Sequence, residues 1–224
     1  DPLLLNNGFA NPLLRSKIDI INKYKSKFGI FIPSSLLCTV SKKDQIIAAA
    51  LELFVQQGLQ ATPMSQVAKA AGTGMGTIYN HFDSKETLIN AIYVYVKEKE
   101  ANYIFQNYQE EQSFRNRFEF IYGRLMRYFL ENPIEYQFID RFAISPIITA
   151  ESKEAVGKYF EIFYKLFEEG QRERIIKATP IKQLAYFVMG ALSSIMRLQL
   201  VSGEQITETE FQQHLVLAWD AIKN

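Results

Sequence analysis

Apolar residues recur every three or four positions from Ser41 onward, and this period is typical of amphipathic helices. Ser41 is a suitable N-cap for the first helix, and Gly58 is a suitable residue to end it. The apolar positions between them are Ile46, Ile47, Ala50, Leu51, Phe54 and Val55. The pattern therefore predicts a helix between Ser41 and Gly58 that buries one face.

The next stretch predicts two short helices joined by a tight turn. Thr62 is expected to cap the first, and Gly72 to end it. The second begins at residue 73 or 74, and Ile78 and Phe82 face inward because they lie four positions apart. Its outward positions are Thr77, Tyr79, Asn80 and His81. Such a pair is typical of a helix-turn-helix, whose second helix lies in the major groove of DNA, although an ordinary pair of core helices has the same pattern.

The residues of this stretch carry a family resemblance. Ala-Ala-Gly, then Gly-Thr-Ile-Tyr-Asn-His-Phe, then Ser-Lys-Glu-Thr-Leu closely resembles the DNA-binding domain of TetR-family transcriptional regulators, from about Lys42 to about Leu88. The resemblance implies phosphate contacts by Thr77, Tyr79 and Lys85, and base contacts by Thr73, Met75 and Asn80. The predicted DNA-binding set also includes Thr62 and His81. The chain departs from the family pattern at Gly74, where a capping hydroxyl is usual and glycine adds backbone freedom.

Amphipathic helices are predicted for the rest of the chain as well. One runs from about Lys85 to about Tyr108, and no later segment alternates convincingly with a period of two. The later apolar stripes are Phe114–Phe129, Ile134–Phe142, Val156–Phe167 (through Phe160 and Phe163), Leu184–Leu198 and Phe211–Ile222. We therefore expect an all-α fold.

The resemblance also implies how the C-terminal helices are used. The last two correspond in order and place to the pair through which TetR-family proteins dimerise, and packing within one chain is the alternative that periodicity cannot exclude. The predicted interface residues are Leu184, Val188, Ala191, Ile195, Phe211, Leu215 and Trp219. The central helices correspond to those that surround a small-molecule cavity, where an apolar or aromatic effector is expected. The predicted effector residues are Tyr122, Met126, Phe138, Arg141, Phe142, Phe163, Phe167 and Met189.

Composition and charge narrow the function further. No uninterrupted apolar run approaches the roughly 18 residues that a membrane-spanning helix needs, so no membrane association is expected. A lone cysteine, Cys38, favours a reducing, cytoplasmic setting. His81 and His214 have neither catalytic nor ligand spacing, so we predict no enzyme activity, no cofactor and no metal site. The net charge of +1 argues against strong nonspecific binding to nucleic acid.

Residues 1–40 allow three interpretations. They are an extension or leader outside the regulatory fold, a basic arm that adds DNA contacts, or a helix on a membrane surface. The sequence thus predicts this N-terminal segment, a helix-turn-helix domain over residues 41–88, and a helical effector-binding and dimerisation domain over residues 89–224. With the TetR-family resemblance, this organisation implies a cytoplasmic homodimeric regulator, a repressor that a small effector releases from a palindromic double-stranded DNA operator. The alternative is a helical dimeric interaction protein with a degenerate helix-turn-helix.

Overall fold

The computed structural model describes residues 41–224, so the predictions made for residues 1–40, including Cys38, lie outside the described part. The described chain is all-α, as predicted, and its extended contact is an isolated bridge between Ile176 and Lys223. The α-helices are α1 (Lys42–Gln57), α2 (Met64–Ala70), α3 (Met75–His81), α4 (Lys85–Phe105), α5 (Phe114–Glu131), α6 (Pro133–Phe142), α7 (Ala150–Gly157), α8 (Glu161–Arg172), α9 (Ile181–Ser202) and α10 (Glu208–Ile222). Contacts divide the described chain into two compact units between Leu88 and Ile89, within α4.

The caps of the first unit mostly follow the sequence. The Ser41 hydroxyl accepts a hydrogen bond from the Asp44 amide at 3.1 Å, and Gly58 ends α1 with φ 85°. Both predictions are confirmed. The unit's core contains the fully buried side chains Ile46, Ala50, Phe54, Val67, Ile78, Phe82 and Leu88.

The predicted N-cap of α2 is wrong. Thr62 is buried, and its hydroxyl donates to the Gly58 carbonyl at 2.8 Å instead of capping the helix. Pro63 occupies the N-cap position without a side-chain bond, and its fixed φ suits the start of a helix. Gly72 lies just beyond the end of α2 with φ 58°, a left-handed conformation that glycine adopts readily.

In the second unit, hydroxyl caps and a glycine again set helix ends. The Ser113 hydroxyl accepts from the Asn116 amide at 3.3 Å to begin α5, and Gly203 ends α9 with φ 71°. Thr207 and Glu210 form a capping box that begins α10. The core of this unit is formed mainly by α5, α8, α9 and α10 and includes Phe118, Tyr122, Met126, Phe167, Val188, Leu192 and Ile222.

One predicted helix is divided in the structure. The stripe from Val156 to Phe167 is split between α7 and α8 by the 3-10 turn Lys158–Phe160. Val156 and Phe167 are buried, whereas Phe160 is only half-buried, so the four aromatic and aliphatic positions do not share one face. Gly157, which has a low helix propensity, is the last residue of α7.

Candidate nucleic-acid interface and ligand region

Helix α3 exposes polar and aromatic side chains on one face and is held in place by two buried residues. Ile78 and Phe82 are 0% and 1% exposed, and they fix the helix against the core of the first unit. Tyr79 is 48% exposed and Met75 36% exposed. Asn80 and His81 are exposed too, so the outward positions predicted for this helix include side chains that are open to a ligand.

The remaining predicted DNA-binding residues are less open. Thr73, Thr77 and Lys85 are half-buried. The Lys85 ammonium donates to the Leu59 carbonyl and lies 5.8 Å from the centroid of the Phe54 ring. This bond uses one of the three N–H donors of the ammonium, so two remain for a phosphate.

Thr62 has an internal role. Its side chain is 0% exposed and its hydroxyl is bonded to the Gly58 carbonyl, so the structure contradicts its use as a direct DNA contact. By donating to a backbone carbonyl at the end of α1, the Thr62 hydroxyl has a structural role.

The first unit carries no net charge between residues 41 and 88. Four basic residues and four acidic residues oppose each other: Lys42, Lys43, Lys69 and Lys85 against Asp44, Glu52, Asp83 and Glu86. Burial raises the pKa of the Glu52 carboxyl. Any affinity of this unit for DNA must therefore come largely from specific hydrogen bonds and helix N-termini rather than from excess positive charge.

The predicted effector residues lie in the second unit but are mostly packed against each other. Phe138 contacts Phe142 with ring centroids 5.1 Å apart, and Phe163 contacts Phe167 with centroids 4.5 Å apart. The buried members are Tyr122, Met126, Phe138, Phe142 and Phe167, the half-buried ones are Phe163 and Met189, and Arg141 is exposed. Each pair lies four positions apart on one helix, α6 or α8, so these rings pack along the same helix face.

Tyr122 makes a polar contact inside this core. Its hydroxyl is 2.8 Å from Nε2 of His214 and 3.4 Å from the Val188 carbonyl. The rings of Tyr122 and His214 are stacked with centroids 5.8 Å apart. Burial lowers the pKa of His214 and raises that of Tyr122, so both side chains are kept neutral.

Two buried carboxylates of the second unit are each paired. Glu100, only 1% exposed, bonds the Lys97 ammonium at 2.7 Å, and Glu135 bonds the Lys99 ammonium and the Tyr128 hydroxyl. Burial raises the pKa of Glu100. These pairs satisfy the charges within the chain itself.

The predicted dimer-interface residues lie in the core of the single chain. Leu184, Val188, Phe211, Leu215 and Trp219 are between 1% and 8% exposed. Ala191 and Ile195 are half-buried. The structure therefore favours packing within one chain for the buried five, and their contact with a second copy stays a prediction.

A second apolar face, which sequence reasoning missed, is exposed. We call it the pairing face, and it consists of Phe187, Gly190, Ser194, Leu198 and Val201 of α9 with Val216 and Leu217 of α10. Phe187, Leu198 and Leu217 are 60%, 63% and 66% exposed, and Val201 reaches 87%. The sequence does show that α9 is apolar around most of its circumference, and this was the signal available for a second face. By length and composition alone, α9 would also qualify as a membrane-spanning helix. Helix periodicity shows one stripe well but does not show which of two stripes is covered.

The described residues hold no group of three or more His, Cys, Asp or Glu side chains that could bind a metal ion.

Comparisons with known proteins agree with this architecture. Residues 46–92 match the family described as bacterial regulatory proteins, tetR family, and residues 87–224 match the family described as tetracyclin repressor-like, C-terminal domain. The HTH-type transcriptional regulator QacR of Staphylococcus aureus is 27% identical over 137 residues, which cover 57% of this chain and 70% of that protein.

Shorter and structural matches extend the comparison. The HTH-type transcriptional repressor KstR2 of Rhodococcus jostii is 39% identical over 51 residues, 23% of this chain and 25% of that protein, so the match spans about a quarter of this relative. A crystal structure of a TetR family transcription regulator from Marinobacter aquaeolei superposes with a TM-score of 0.75 at 22% identity, covering 82% of this chain and 96% of that one. At that identity the superposition establishes the fold alone.

Proposed function

The chain belongs to the TetR family of transcriptional regulators, and we propose that it is a homodimeric repressor that a small effector releases from a palindromic DNA operator. It is a DNA-binding regulator by family. The repressor role, the dimer, the operator symmetry, the effector and a cytoplasmic location are our proposals.

The observation that carries the DNA-binding proposal is the exposed face of α3. Tyr79 and Asn80 project from a helix whose neighbouring residues Ile78 and Phe82 are locked in the core. A helix held this firmly can present side chains to a groove without losing much conformational entropy. We assign Tyr79 and Thr77 to phosphates and Met75 and Asn80 to base edges.

The dimer proposal rests on the pairing face. A large exposed apolar patch on a soluble protein usually marks an interaction surface. Here it is a stripe along one side of α9 and α10, because Leu184, Val188 and Leu192 on the other side of α9 are already buried by the chain. A one-sided stripe fits a partner helix pair better than a surrounding lipid phase, and a second copy offers the same stripe.

Selection of double-stranded DNA from a random pool tests the DNA proposal. The wild-type chain should enrich a palindrome, and Asn80→Ala should change the enriched bases. Tyr79→Phe should instead weaken all sequences alike by roughly 10- to 100-fold per contact, because a hydrogen bond to a charged phosphate is worth about 1.5–3 kcal/mol. Tyr164→Phe is the matched control, since Tyr164 is 45% exposed but lies in α8. Enrichment of no motif by the wild type would contradict specific DNA binding and favour an interaction protein.

Gly190→Leu tests the dimer. A Cβ built at Gly190 meets nothing within 4 Å in the single chain and Gly190 is exposed, so the substitution should leave the subunit folded. In a close dimer it would overfill the interface, and light scattering should then show monomers at concentrations where the wild type is dimeric. Tyr164→Leu, at an exposed position of α8 outside the pairing face, should remain dimeric. Unchanged dimers for Gly190→Leu would place the interface elsewhere.

A further inference from the structure

A cavity of about 250 Å³ opens among α5, α9, α10 and the loop that joins α9 to α10. We call it the loop cavity. Its inner wall contains Met126, which is fully buried, and His214, which is 7% exposed. The other lining residues are Ile195, Leu198, Gln199, Ser202, Glu204, Gln205, Ile206, Glu210, Gln213 and Leu217.

The outer wall of the loop cavity has a defined shape. Gly203 begins the loop in a left-handed conformation, and the capping box closes it at Thr207. Glu210 accepts from the Thr207 amide at 2.8 Å and from its hydroxyl at 2.7 Å. The loop is therefore held at both ends, which favours a preformed space over a transient gap.

His214 gives the loop cavity a buried polar group. Its Nε2 is engaged by the Tyr122 hydroxyl, and Nδ1 has no hydrogen-bond partner among the described residues. Because the ring is neutral in this environment, its free nitrogen can exchange one hydrogen bond with a ligand without carrying a charge. The glutamine side chains of the lining can add further hydrogen bonds.

Charge excludes one class of ligand. The lining contains the carboxylates of Glu204 and Glu210 and neither lysine nor arginine. Bonds from Thr207 lower the pKa of Glu210, so it stays ionised. An anionic ligand would meet two negative charges with no cation beside them.

The loop cavity lies apart from most of the predicted effector region. Met126 alone of the predicted effector residues lines the loop cavity. A volume of 250 Å³ lies just below the range of about 300–1,000 Å³ that holds drug-sized ligands. It suits a smaller molecule with a mostly apolar body.

We propose that the loop cavity binds a small, uncharged, mostly apolar molecule that hydrogen-bonds His214, and that this molecule is the effector. The second clause rests on the proposed function. Leu198 and Leu217 belong both to the lining and to the pairing face, so a ligand here lies at the edge of the surface that joins two copies. Occupancy can then change the dimer geometry on which operator binding depends.

Calorimetric titration of the full chain with two matched probes tests the site. Naphthalenemethanol supplies an apolar body and one hydroxyl, and naphthoate replaces that hydroxyl group with a carboxylate. We expect saturable binding of the alcohol and binding of the carboxylate at least about tenfold weaker, because of the two lining carboxylates. Equal or tighter binding of naphthoate would overturn the proposed ligand class, and absence of saturable binding for both would overturn the site.

Two cavity-filling variants locate the binding. Ile206→Trp places an indole in the loop cavity from the loop, and Ile195→Trp does so from α9, and each should weaken binding of the alcohol at least about tenfold. Tyr186→Trp adds the same group at an exposed position outside the lining and should bind like the wild type. Circular dichroism confirms that each variant is folded, and if one fails to fold the other carries the test. Wild-type affinity in a folded cavity-filling variant would show that the alcohol binds elsewhere.

Operator binding, measured separately without probe, distinguishes the two proposals. A chain that selects a DNA motif but binds neither probe retains the proposed function and loses the loop cavity as a ligand site. A chain that binds the alcohol in the loop cavity but selects no DNA loses the proposed function. If the alcohol binds there without changing the affinity for the selected operator, the effector assignment is overturned.

Discussion

Gly170 in α8 lies where the chain has no room for a side chain. A Cβ built at this position would be 2.7 Å from Cζ and 3.0 Å from Cδ2 of Phe114, closer than such atoms approach in folded proteins. The Phe114 ring is 4% exposed and packs on the Trp219 ring, with centroids 6.0 Å apart. The Gly170 backbone is fixed too, because its carbonyl accepts from the amides of Ile175 at 2.8 Å and Ile176 at 3.2 Å. Neither partner can move freely, so Gly170→Ala must displace packed core.

Two effects oppose each other in this substitution. Overpacking a core costs about 1–3 kcal/mol, whereas replacing a glycine in a helix by alanine stabilises it by up to about 1 kcal/mol. Because the clash is with a confined ring, we expect a net loss of about 1–2 kcal/mol, which corresponds to a fall of roughly 2–8 °C in Tm for a chain of this size.

Gly123→Ala is the matched control for this prediction. Gly123 lies within α5, and a Cβ there would meet Leu215 at an ordinary distance of 3.5 Å. Helix propensity then acts almost alone, and the free energy of unfolding should rise by up to about 1 kcal/mol. Far-UV circular dichroism during heating, at one fixed protein concentration because the chain is proposed to dimerise, measures both variants. The reasoning is refuted if Gly170→Ala is as stable as the wild type or if both variants shift in the same direction.

Three further predictions concern the buried His214, the Ser84 cap and the coupling between ligand and operator binding. Burial lowers the pKa of His214 below its usual 6.5, so the unfolded chain binds the extra proton first as the pH falls. The stability that the neutral ring contributes is therefore present above about pH 6.5, and it is lost as the pH falls through the pKa of the folded state. His214→Phe should reduce the fall in Tm between neutral and acidic pH, whereas His81→Gln, at an exposed position, should leave it unchanged. Ser84→Ala should lower the free energy of unfolding in urea by about 1 kcal/mol, because the Ser84 hydroxyl accepts a hydrogen bond from the Thr87 amide at 3.1 Å at the start of α4. An unchanged free energy of unfolding would mean that this cap does not stabilise the helix. If naphthalenemethanol lowers operator affinity by a given factor, of the order of 5- to 150-fold, saturating operator must weaken naphthalenemethanol binding by the same factor, and unequal factors would contradict a single linked equilibrium.

The sequence predicted those parts of the fold that depend on local chemistry. The cap at Ser41 and the glycine at 58 were correct because each needs only a hydroxyl or a positive-φ residue beside an amphipathic run. Thr62 was predicted wrongly because its hydroxyl had a competing acceptor, the Gly58 carbonyl, which only the folded chain brings within 2.8 Å. The pairing face was missed for a related reason: on a helix as apolar as α9, periodicity cannot show which apolar side the rest of the chain covers.

The candidate DNA surface was more accessible to sequence reasoning than the ligand region. Tyr79 and Asn80 lie on the outward side of a short helix whose inward residues are obvious, so three- and four-residue spacing identifies them. The loop cavity has no such signal. It is formed by side chains as distant in sequence as Met126 and Ile206, and its volume depends on how completely their neighbours fill the space.

If the chain pairs through α9 and α10 as proposed, the pairing has a consequence for inheritance. The pairing face belongs to the second unit and α3 to the first. A mutation that disrupts α3 would therefore leave the subunit able to dimerise with an intact subunit. Each dimer of one mutant and one intact subunit would then bind only one half of its operator. In a cell that carries both alleles, such a mutation would be dominant, because defective subunits would hold intact ones in mixed dimers. A mutation such as Gly190→Leu would instead be recessive, because a subunit that cannot dimerise would leave the intact dimers unaffected.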